Sequence, residues 1–308
     1  MFVELFLDIC YNVRVNCCNF TNSIQPFPDG QKGRFLKKIL CILLLSVAML
    51  SVFSISAGAT QAVNVYIGND AFSGDVRVSD NTTYVAIRKF ALAMDSNAKV
   101  TYNYSTRTLT VKTSKLTLTC TDGSNYIVAN GRYLYFDKPI FMRNGVMYAP
   151  ILQIYKAFDA KISWSDAMGG FTVTKGSGGI LSGDAYYRED EVFWLSRIIS
   201  AESRGEPLRG KIAVGNVILN RVRSSAYPNT IYSVIFDKKY GVQFSPASNG
   251  TIYNSPTEES VIAAKICLEG YSVSNKILYF VNPKKAPNSW ISKNGTLFTT
   301  IGNHAFYY

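Results

Sequence analysis

Two glutamates near residue 200 have side chains that can do acid–base chemistry. Glu202 and Glu206 lie in the polar run 200–207 (SAESRGEP), directly after an apolar helical pattern. A carboxylic acid donates a proton near neutral pH only if its surroundings raise its pKa. A position at the end of an apolar helix, folded under the next helix, provides such surroundings. Glu202 is therefore a candidate general acid for cleavage of a glycosidic bond.

The position of Glu202 does not by itself decide its role. A glutamate at a helix end is usually a solvated surface residue. Glu206, before Pro207, equally suits a first-turn acid that the helix dipole favours. Hydrolysis requires a second carboxyl group, about 5 to 5.5 Å away for retention of configuration or about 6.5 to 9.5 Å away for inversion. The available partners are Glu206, Asp237, Glu258 and Glu259.

The chain contains one histidine, His304, and this argues against several other chemistries. Zinc sites built on His and Cys use three or four ligands, so we predict no metal and no cofactor. Ser-His-Asp and Cys-His-Asn enzymes are poorly supported, and His304 is predicted to be a structural hydrogen-bonding residue. Only Cys120 and Cys267 lie beyond residue 59, in different predicted domains, so a disulfide framework is not expected.

The bulk composition indicates a folded protein with a polyanionic partner. A chain of 308 residues, 47% hydrophobic and 17% charged, is long enough for two domains with ordinary cores. The formal net charge of +11 suits nucleic acid, an anionic membrane face, or a bacterial wall with its peptide carboxylates and teichoic phosphates. Because no dense Lys/Arg run is interleaved with aromatic residues, we predict no nucleic-acid partner.

The elements that position Glu202 are predicted to be helices. Apolar residues recur at spacings of three and four after Arg188, and residues 255–258 (SPTE) suggest Ser255 as an N-cap, proline at N1 and Glu258 as a capping-box acid. The region is therefore mostly helical with a small β element. Its predicted elements are a helix that begins near Asp190 as its cap, a helix over 208–223, a helix that ends at Glu269, and a strand over 277–281.

The middle region, 62–175, contains one pattern twice, over 83–111 and 147–173. Each copy is a strand, a short helix and a hairpin, and the hairpin strands alternate β-branched or aromatic residues with polar ones. Such alternation is typical of a sheet with one covered face. We predict an α+β domain of two β-α-β-β-like repeats around a shared core.

A Gly-rich linker, 176–186, is predicted to follow, because four glycines break the strand pattern as a flexible connection does. Residues 1–59 are predicted to be a leader, in which two lysines precede an apolar h-region, 39–55, and a small-residue cleavage site at Ala59. This signal peptide predicts export. The apolar run is also at the short limit of a membrane span, so an uncleaved anchor stays an alternative. Residues 1–33 suggest a misassigned upstream start.

Residues 199–207 (ISAESRGEP) begin a series of motifs that continues in order through the C-terminal domain, 187–308. The series resembles the SleB/CwlJ family of spore-cortex-lytic and cell-wall hydrolases. Ser203 stands where that family usually has alanine, a small change that is not expected to abolish activity. The further motifs are Gly210, Ala213-Val214, 216–222 (NVILNRV), 228–231 (PNTI), 243–246 (QFSP), Gly250, 279–283 (YFVNP), Trp290 and 301–307 (IGNHAFY).

The resemblance implies a mainly α, lysozyme- or lytic-transglycosylase-like fold around one catalytic glutamate, which falls on Glu202. The implied partner is peptidoglycan, with anionic wall polymers as further partners. One glutamate permits lytic transglycosylation, and hydrolysis with a second carboxylate stays the alternative. Sugar binding uses aromatic faces and amide groups, although the candidate residues suit a core equally well. The predicted substrate-binding residues are Glu206, Asn220, Gln243, Phe244, Ser245, Tyr279, Asn282 and Trp290.

The middle region, over about residues 64–175, resembles the copper amine oxidase N-terminal-like stalk domain. No histidine lies between residues 60 and 186, so a copper site has no histidine ligands there, and we expect a spacer or wall-associated module. The whole chain is predicted to be a secreted monomer of the cell wall or spore envelope of a Gram-positive bacterium, touching the membrane only through its leader. A catalytically silent wall-binding protein is the competing hypothesis. The choice between cortex and vegetative wall stays open.

Overall fold

The computed structural model describes residues 63–239 and 241–308. The predicted leader, residues 1–59, lies outside this part of the chain. Within the described residues, no helix has both the length and the apolar character needed to cross a membrane.

The N-terminal domain is β-rich, with two short helices, α1 (Ile87–Met94) and α2 (Ile151–Ala157). Its strands form three sheets, in the orders β12-β13-β1-β2, β10-β11-β4-β3 and β5-β6-β7-β8-β9. The strands are β1 (Asn64–Ile67), β2 (Asp70–Ala71), β3 (Val76–Ser79), β4 (Thr82–Ala86), β5 (Lys99–Asn103), β6 (Thr108–Lys112), β7 (Thr117–Thr121), β8 (Tyr126–Ala129), β9 (Arg132–Tyr135), β10 (Phe141–Arg143), β11 (Val146–Pro150), β12 (Lys161–Ser165) and β13 (Gly170–Thr174).

Period-two alternation in these strands builds the N-terminal core. In β6, Leu109 and Val111 are buried while the threonines between and beside them are less covered, and β7 repeats the pattern with Leu118 and Cys120. Phe90 of α1 packs in the same cluster. The sheets therefore bury one face against the helices and leave the other to solvent.

The corresponding strands of the two predicted repeats, β4 and β11, pair antiparallel, with Tyr148 opposite Ala86. Each is followed by a helix and a hairpin. The hairpins differ in their partners, because β5-β6 continues into the five-stranded sheet whereas β13 pairs in parallel with β1. The interpretation as two repeats stays a prediction.

The C-terminal domain is mainly helical, with a small sheet of order β14-β16-β15. Helix α5 is buried along most of its length between α4 and α8. The elements are α3 (Gly183–Tyr186), α4 (Glu189–Ser203), α5 (Leu208–Arg223), α6 (Ile231–Ile235), α7 (Ser245–Asn249), a 3₁₀ turn (Thr251–Tyr253), α8 (Glu258–Leu268), β14 (Tyr279–Val281), α9 (Trp290–Asn294), β15 (Leu297–Ile301) and β16 (His304–Tyr307).

Two predicted helix caps are wrong. The N-cap of α8 is Thr257, whose hydroxyl oxygen accepts from the Ser260 amide, so Ser255 lies outside the helix. Asp190 is inside the first turn of α4, where its carboxylate binds the Arg188 guanidinium. Asp190 and Glu258 each lie in the first turn of a helix, where the helix dipole favours a carboxylate. Each marks the start of its helix, but neither is the N-cap nor lies three residues after it.

The part of the Gly-rich segment 176–186 that precedes α3 lies along the N-terminal domain. Its backbone donates from Gly178 to the Phe158 carbonyl and from Ile180 to the Ala157 carbonyl. A Cβ on Gly176 would lie 1.7 Å from the Asp159 carbonyl oxygen. Glycine is present there because two backbone segments approach closely, which differs from the flexible connection that its composition suggested.

A buried ion pair joins the two domains. Arg132 of β9 donates from Nε and Nη2 to the two carboxylate oxygens of Glu269, at 2.8 and 2.7 Å. These side chains are only 13% and 6% exposed. The Tyr187 hydroxyl donates to the same carboxylate at 2.7 Å. Because a bidentate pair fixes both distance and orientation, it holds β9 against the end of α8.

We expect Glu269→Gln to lower the free energy of unfolding by about 3 kcal/mol, because it leaves Arg132 buried without its counter-charge. Chemical unfolding measures this, and the loss in an R132Q/E269Q double variant should be smaller than the sum of the single losses. The control is Lys138→Gln, which breaks an exposed pair with Asp80 and should leave the unfolding midpoint unchanged. Equal losses at the two pairs would contradict a specific role for the buried one.

Candidate active site

Glu202 lies on the buried face of α4. Leu195, Ile198 and Ile199 are fully buried, and Glu202 follows them at the spacing that continues the same helical stripe. The stripe packs into the helical core against α5 and α8. The helix thus carries a carboxyl group to the edge of an apolar core.

The Glu202 carboxyl is half-buried and receives no hydrogen bond or ion pair from the described residues. Burial raises the pKa of Glu202 from its ordinary 4.5 to about 7. Desolvation disfavours the charged form, and no nearby cation restores it. At neutral pH a large fraction of Glu202 therefore carries a proton that it can donate.

Glu202 lines a groove with a volume of about 1140 Å³. Four segments form most of its wall: 201–206 at the end of α4, 242–245 before α7, the end of β14 with the following turn, and the start of β16. The volume of the groove and its polar lining residues are sufficient to admit a chain of sugars.

Glu206 also lines the groove, but both of its carboxylate oxygens already accept hydrogen bonds. Oε2 accepts from the Asn303 backbone amide at 2.8 Å and Oε1 accepts from the Asn303 side chain at 3.1 Å. Burial acts to raise the pKa of Glu206, but these hydrogen bonds outweigh it and hold the pKa below its ordinary value. Glu206 is therefore an anion that fixes the turn before β16.

Three other acids considered as partners, Asp237, Glu258 and Glu259, do not line the groove. Glu259 instead accepts from Lys211 Nζ at 2.6 Å, and that ammonium also donates to the Glu206 carbonyl oxygen. Among the described residues, Glu206 is thus the only second carboxylate in the groove, and it is held as an anion.

Six of the eight predicted substrate-binding residues line the groove: Glu206, Gln243, Phe244, Ser245, Tyr279 and Asn282. Phe244 is buried and its ring stacks with Phe280 at 6.4 Å between centroids, so it forms part of the groove floor. The Asn282 side-chain oxygen accepts from the Lys284 amide at 3.0 Å, which shapes the turn after β14.

Asn220 and Trp290 do not line the groove, so their predicted binding roles are not supported. Asn220 is buried, and its Nδ2 donates to the carbonyls of Ser274 and Ile277, both at 2.9 Å. It ties α5 to the segment before β14. Trp290 is 69% exposed at the first turn of α9, beside the groove-lining Ile291.

Two family models match the chain. Residues 205–307 match the model described as Cell Wall Hydrolase. The C-terminal domain belongs to the cell wall hydrolase family. Residues 68–173 match the model described as Copper amine oxidase N-terminal domain. The hydrolase match begins just after Glu202, so the geometry around Glu202 adds to what the family model covers.

Curated relatives match a little over a third of the chain. A spore cortex-lytic enzyme of Bacillus cereus is 35% identical over 120 residues, 39% of this chain and 45% of the relative. The cell wall hydrolase CwlJ of Oceanobacillus iheyensis is 28% identical over 111 residues, 34% of this chain and 77% of the relative. The chain therefore spans less than half the length of the spore cortex-lytic enzyme that it matches.

A solved structure, the catalytic domain of the germination-specific lytic transglycosylase SleB from Bacillus anthracis, is similar in sequence. It is 32% identical, and the match covers 42% of this chain and all of that domain, with a TM-score of 0.36.

The cell wall hydrolase domain also has groove residues that the sequence interpretation did not select. They include Arg221, Lys284, Lys285, Asn303 and His304. Arg221 and the Gly302–Asn303 turn lie within the family motifs 216–222 and 301–307, so the sequence carries a signal for both. Three of them, Arg221, Lys284 and Lys285, add positive charge to a groove whose Glu202 carboxyl is partly protonated at neutral pH.

The prediction that His304 is a structural hydrogen-bonding residue is wrong at Nδ1. That atom is buried without a hydrogen-bond partner in the part of the chain that the structure describes. Burial lowers the pKa of His304, since desolvation outweighs the attraction of Glu206, so the imidazole is neutral at neutral pH. Its ring packs edge-on against Phe280 at 5.3 Å.

Proposed function

We propose that this protein is a peptidoglycan lytic enzyme that cleaves glycan strands by lytic transglycosylation, with Glu202 as acid and then base. The observation that carries the proposal is the protonatable Glu202 carboxyl, with a pKa of about 7, in a large groove. General acids work best when their pKa lies near the working pH. The kinship with spore cortex-lytic enzymes and a cell wall hydrolase supports the substrate class.

The reaction proceeds in two proton transfers. Glu202 donates its proton to the glycosidic oxygen as the bond from that oxygen to the anomeric carbon of muramic acid breaks. The carboxylate then takes the proton of the muramic 6-hydroxyl, whose oxygen bonds to the anomeric carbon. The products are a 1,6-anhydro ring and a free 4-hydroxyl on the released sugar, and Glu202 is protonated again.

The hydrogen bonds of the Glu206 carboxylate favour transglycosylation over hydrolysis. A hydrolysing enzyme needs a second carboxylate free to act on water or on the anomeric carbon. Both carboxylate oxygens of Glu206 accept hydrogen bonds from Asn303. A muramidase that uses Glu206 after this clamp opens, and a catalytically silent wall-binding protein, are the competing outcomes of the test.

We infer that Gln243, Ser245, Tyr279 and Asn282 contact the sugars, since they line the groove beside Glu202. The N-terminal domain, over about 62–175 and built from two repeats, would space or orient the catalytic domain, 187–308. We also propose that the protein is a monomer, exported by its leader to a Gram-positive wall or spore envelope. No metal or cofactor enters this mechanism.

The products identify the reaction. Residues 60–308 are incubated with purified spore cortex and with vegetative peptidoglycan, and the soluble muropeptides are analysed by mass spectrometry. We expect 1,6-anhydro-muramic ends that are absent with Glu202→Gln. Reducing ends would identify a hydrolase and overturn the transglycosylase assignment. Binding to peptidoglycan by the folded protein without any cleavage would support the silent wall-binding protein.

A further inference from the structure

Arg221 is a buried cation that has no counter-ion among the described residues. Its side chain lies at the groove and only 5% of the residue is exposed. In the described part of the chain no carboxylate lies within 4.0 Å of its guanidinium. The carboxylate of Asp237 acts on it only from beyond that distance. Buried charges in proteins are normally paired, so an unpaired one beside a groove needs an explanation.

The guanidinium is held in a fixed orientation. Nε donates to the Leu278 carbonyl at 2.8 Å and Nη1 donates to Gln243 Oε1 at 3.4 Å. The rings of Tyr227, Phe244 and Tyr279 surround it, at 5.0, 5.1 and 5.4 Å from their centroids. These contacts use neutral partners and leave Nη2 without a protein acceptor among the described residues.

This arrangement costs stability that the contacts offset only in part. Burial lowers the pKa of Arg221, because desolvation disfavours the charged guanidinium. Tyrosine and phenylalanine faces stabilise a desolvated cation by less than the cost of burying an unpaired ion. An anion that enters the groove would pair with the guanidinium in a pre-organised position.

We propose that Arg221 binds a carboxylate on the peptide stem of the muramyl sugar in the groove. This rests on the proposed function and names the part of the substrate that fixes its register. The exposed Lys284 and Lys285 on the same groove wall attract such an anion from solution. Because Glu202 lies on the same groove, a strand held by its carboxylate has a fixed position relative to the acid.

Binding is measured without turnover, in the Glu202→Gln background, by isothermal titration calorimetry. The ligand is a disaccharide-peptide released from peptidoglycan, used as it is and after carbodiimide coupling to methylamine, which converts its carboxylates into neutral amides. We expect amidation to weaken binding about 10- to 100-fold, as for a lost charge-assisted hydrogen bond. Arg221→Gln should weaken binding of the untreated ligand by a similar factor and should abolish the difference between the two ligands.

The matched control is Arg223→Gln, which removes an exposed arginine from the same helix and should preserve the difference between ligands. A purely structural Arg221 would weaken both ligands equally on substitution, and that result would overturn the proposal. Should Arg221→Gln fail to fold, Arg221→Lys and the amidation comparison in the parent protein decide, because equal affinity for the two ligands also overturns it. Carboxylate-dependent binding without cleavage by the wild-type protein would leave Arg221 as proposed and reject the enzymatic function.

Discussion

Glu202→Gln is expected to lower kcat for glycan-strand cleavage by at least about 10³-fold. The amide has the same shape but carries no transferable proton, and the proposed mechanism uses this one group for both proton transfers. The measurement is the rate of release of soluble muropeptides from purified peptidoglycan at pH 6. The affinity for the strand should change little, because binding does not need the proton.

The control for this substitution is Glu189→Gln, an exposed glutamate at the other end of the same helix, which should cleave at the wild-type rate. A Glu202→Gln protein that retains more than a tenth of wild-type activity while remaining folded would remove Glu202 from the mechanism. The remaining groove carboxylate, Glu206, would then be the next residue to test.

The raised pKa of Glu202 also predicts a pH dependence. Cleavage needs the protonated acid, so kcat/KM should fall about tenfold per pH unit above pH 7, the pKa set by burial. Stability follows the same group. The wild type should lose stability relative to Glu202→Gln as the pH rises from 4.5 to about 7, because the unfolded carboxyl ionises first. Unfolding midpoints at pH 4 and pH 8 measure this.

Gly302→Ala is expected to lower the free energy of unfolding by about 2 to 4 kcal/mol and to reduce cleavage about 10- to 100-fold. Gly302 has φ +60°, and an added Cβ would lie 2.0 Å from Glu206 Oε2. It is the first residue of a two-residue turn between β15 and β16, a position that requires positive φ. A shifted turn displaces Asn303 and His304 in the groove.

The matched control is Gly68→Ala. Gly68 has φ +64°, but no atom lies within 4 Å of its added Cβ, so only backbone strain of about 1 kcal/mol is expected. Denaturant unfolding and the cleavage assay are run on both variants. Equal losses of stability in Gly302→Ala and Gly68→Ala, with full cleavage activity in both, would show that cleavage does not depend on the contact between the Gly302 turn and Glu206.

Several elements were predictable because local rules dominate them. Helix α5 was expected over 208–223 and is found at Leu208–Arg223, where proline precedes the first turn and basic residues occupy the last. The strand–helix–hairpin segments of the N-terminal domain were also located from their alternation. Strand β15 was missed, since its side chains are mostly exposed and show no apolar period.

The site residues also differ in whether local sequence predicts them. Glu202 and the apolar stripe that buries it lie on one helix, α4, so their spacing can be recognised in the sequence. The sequence therefore determined the candidate acid. Whether Glu206 is a second acid depends on Asn303, which is 97 residues away in the chain. No local pattern encodes that contact.

Asn220 and Arg221 show what only the tertiary structure decided. They are adjacent on α5, and consecutive helical residues point about 100° apart, so packing alone determines which one faces the groove. The sequence determined the helix, the domain family and the candidate acid, because these follow from local periodicity and motif order. The tertiary structure decided which polar side chains meet, since hydrogen bonds and burial depend on segments brought together from distant parts of the chain.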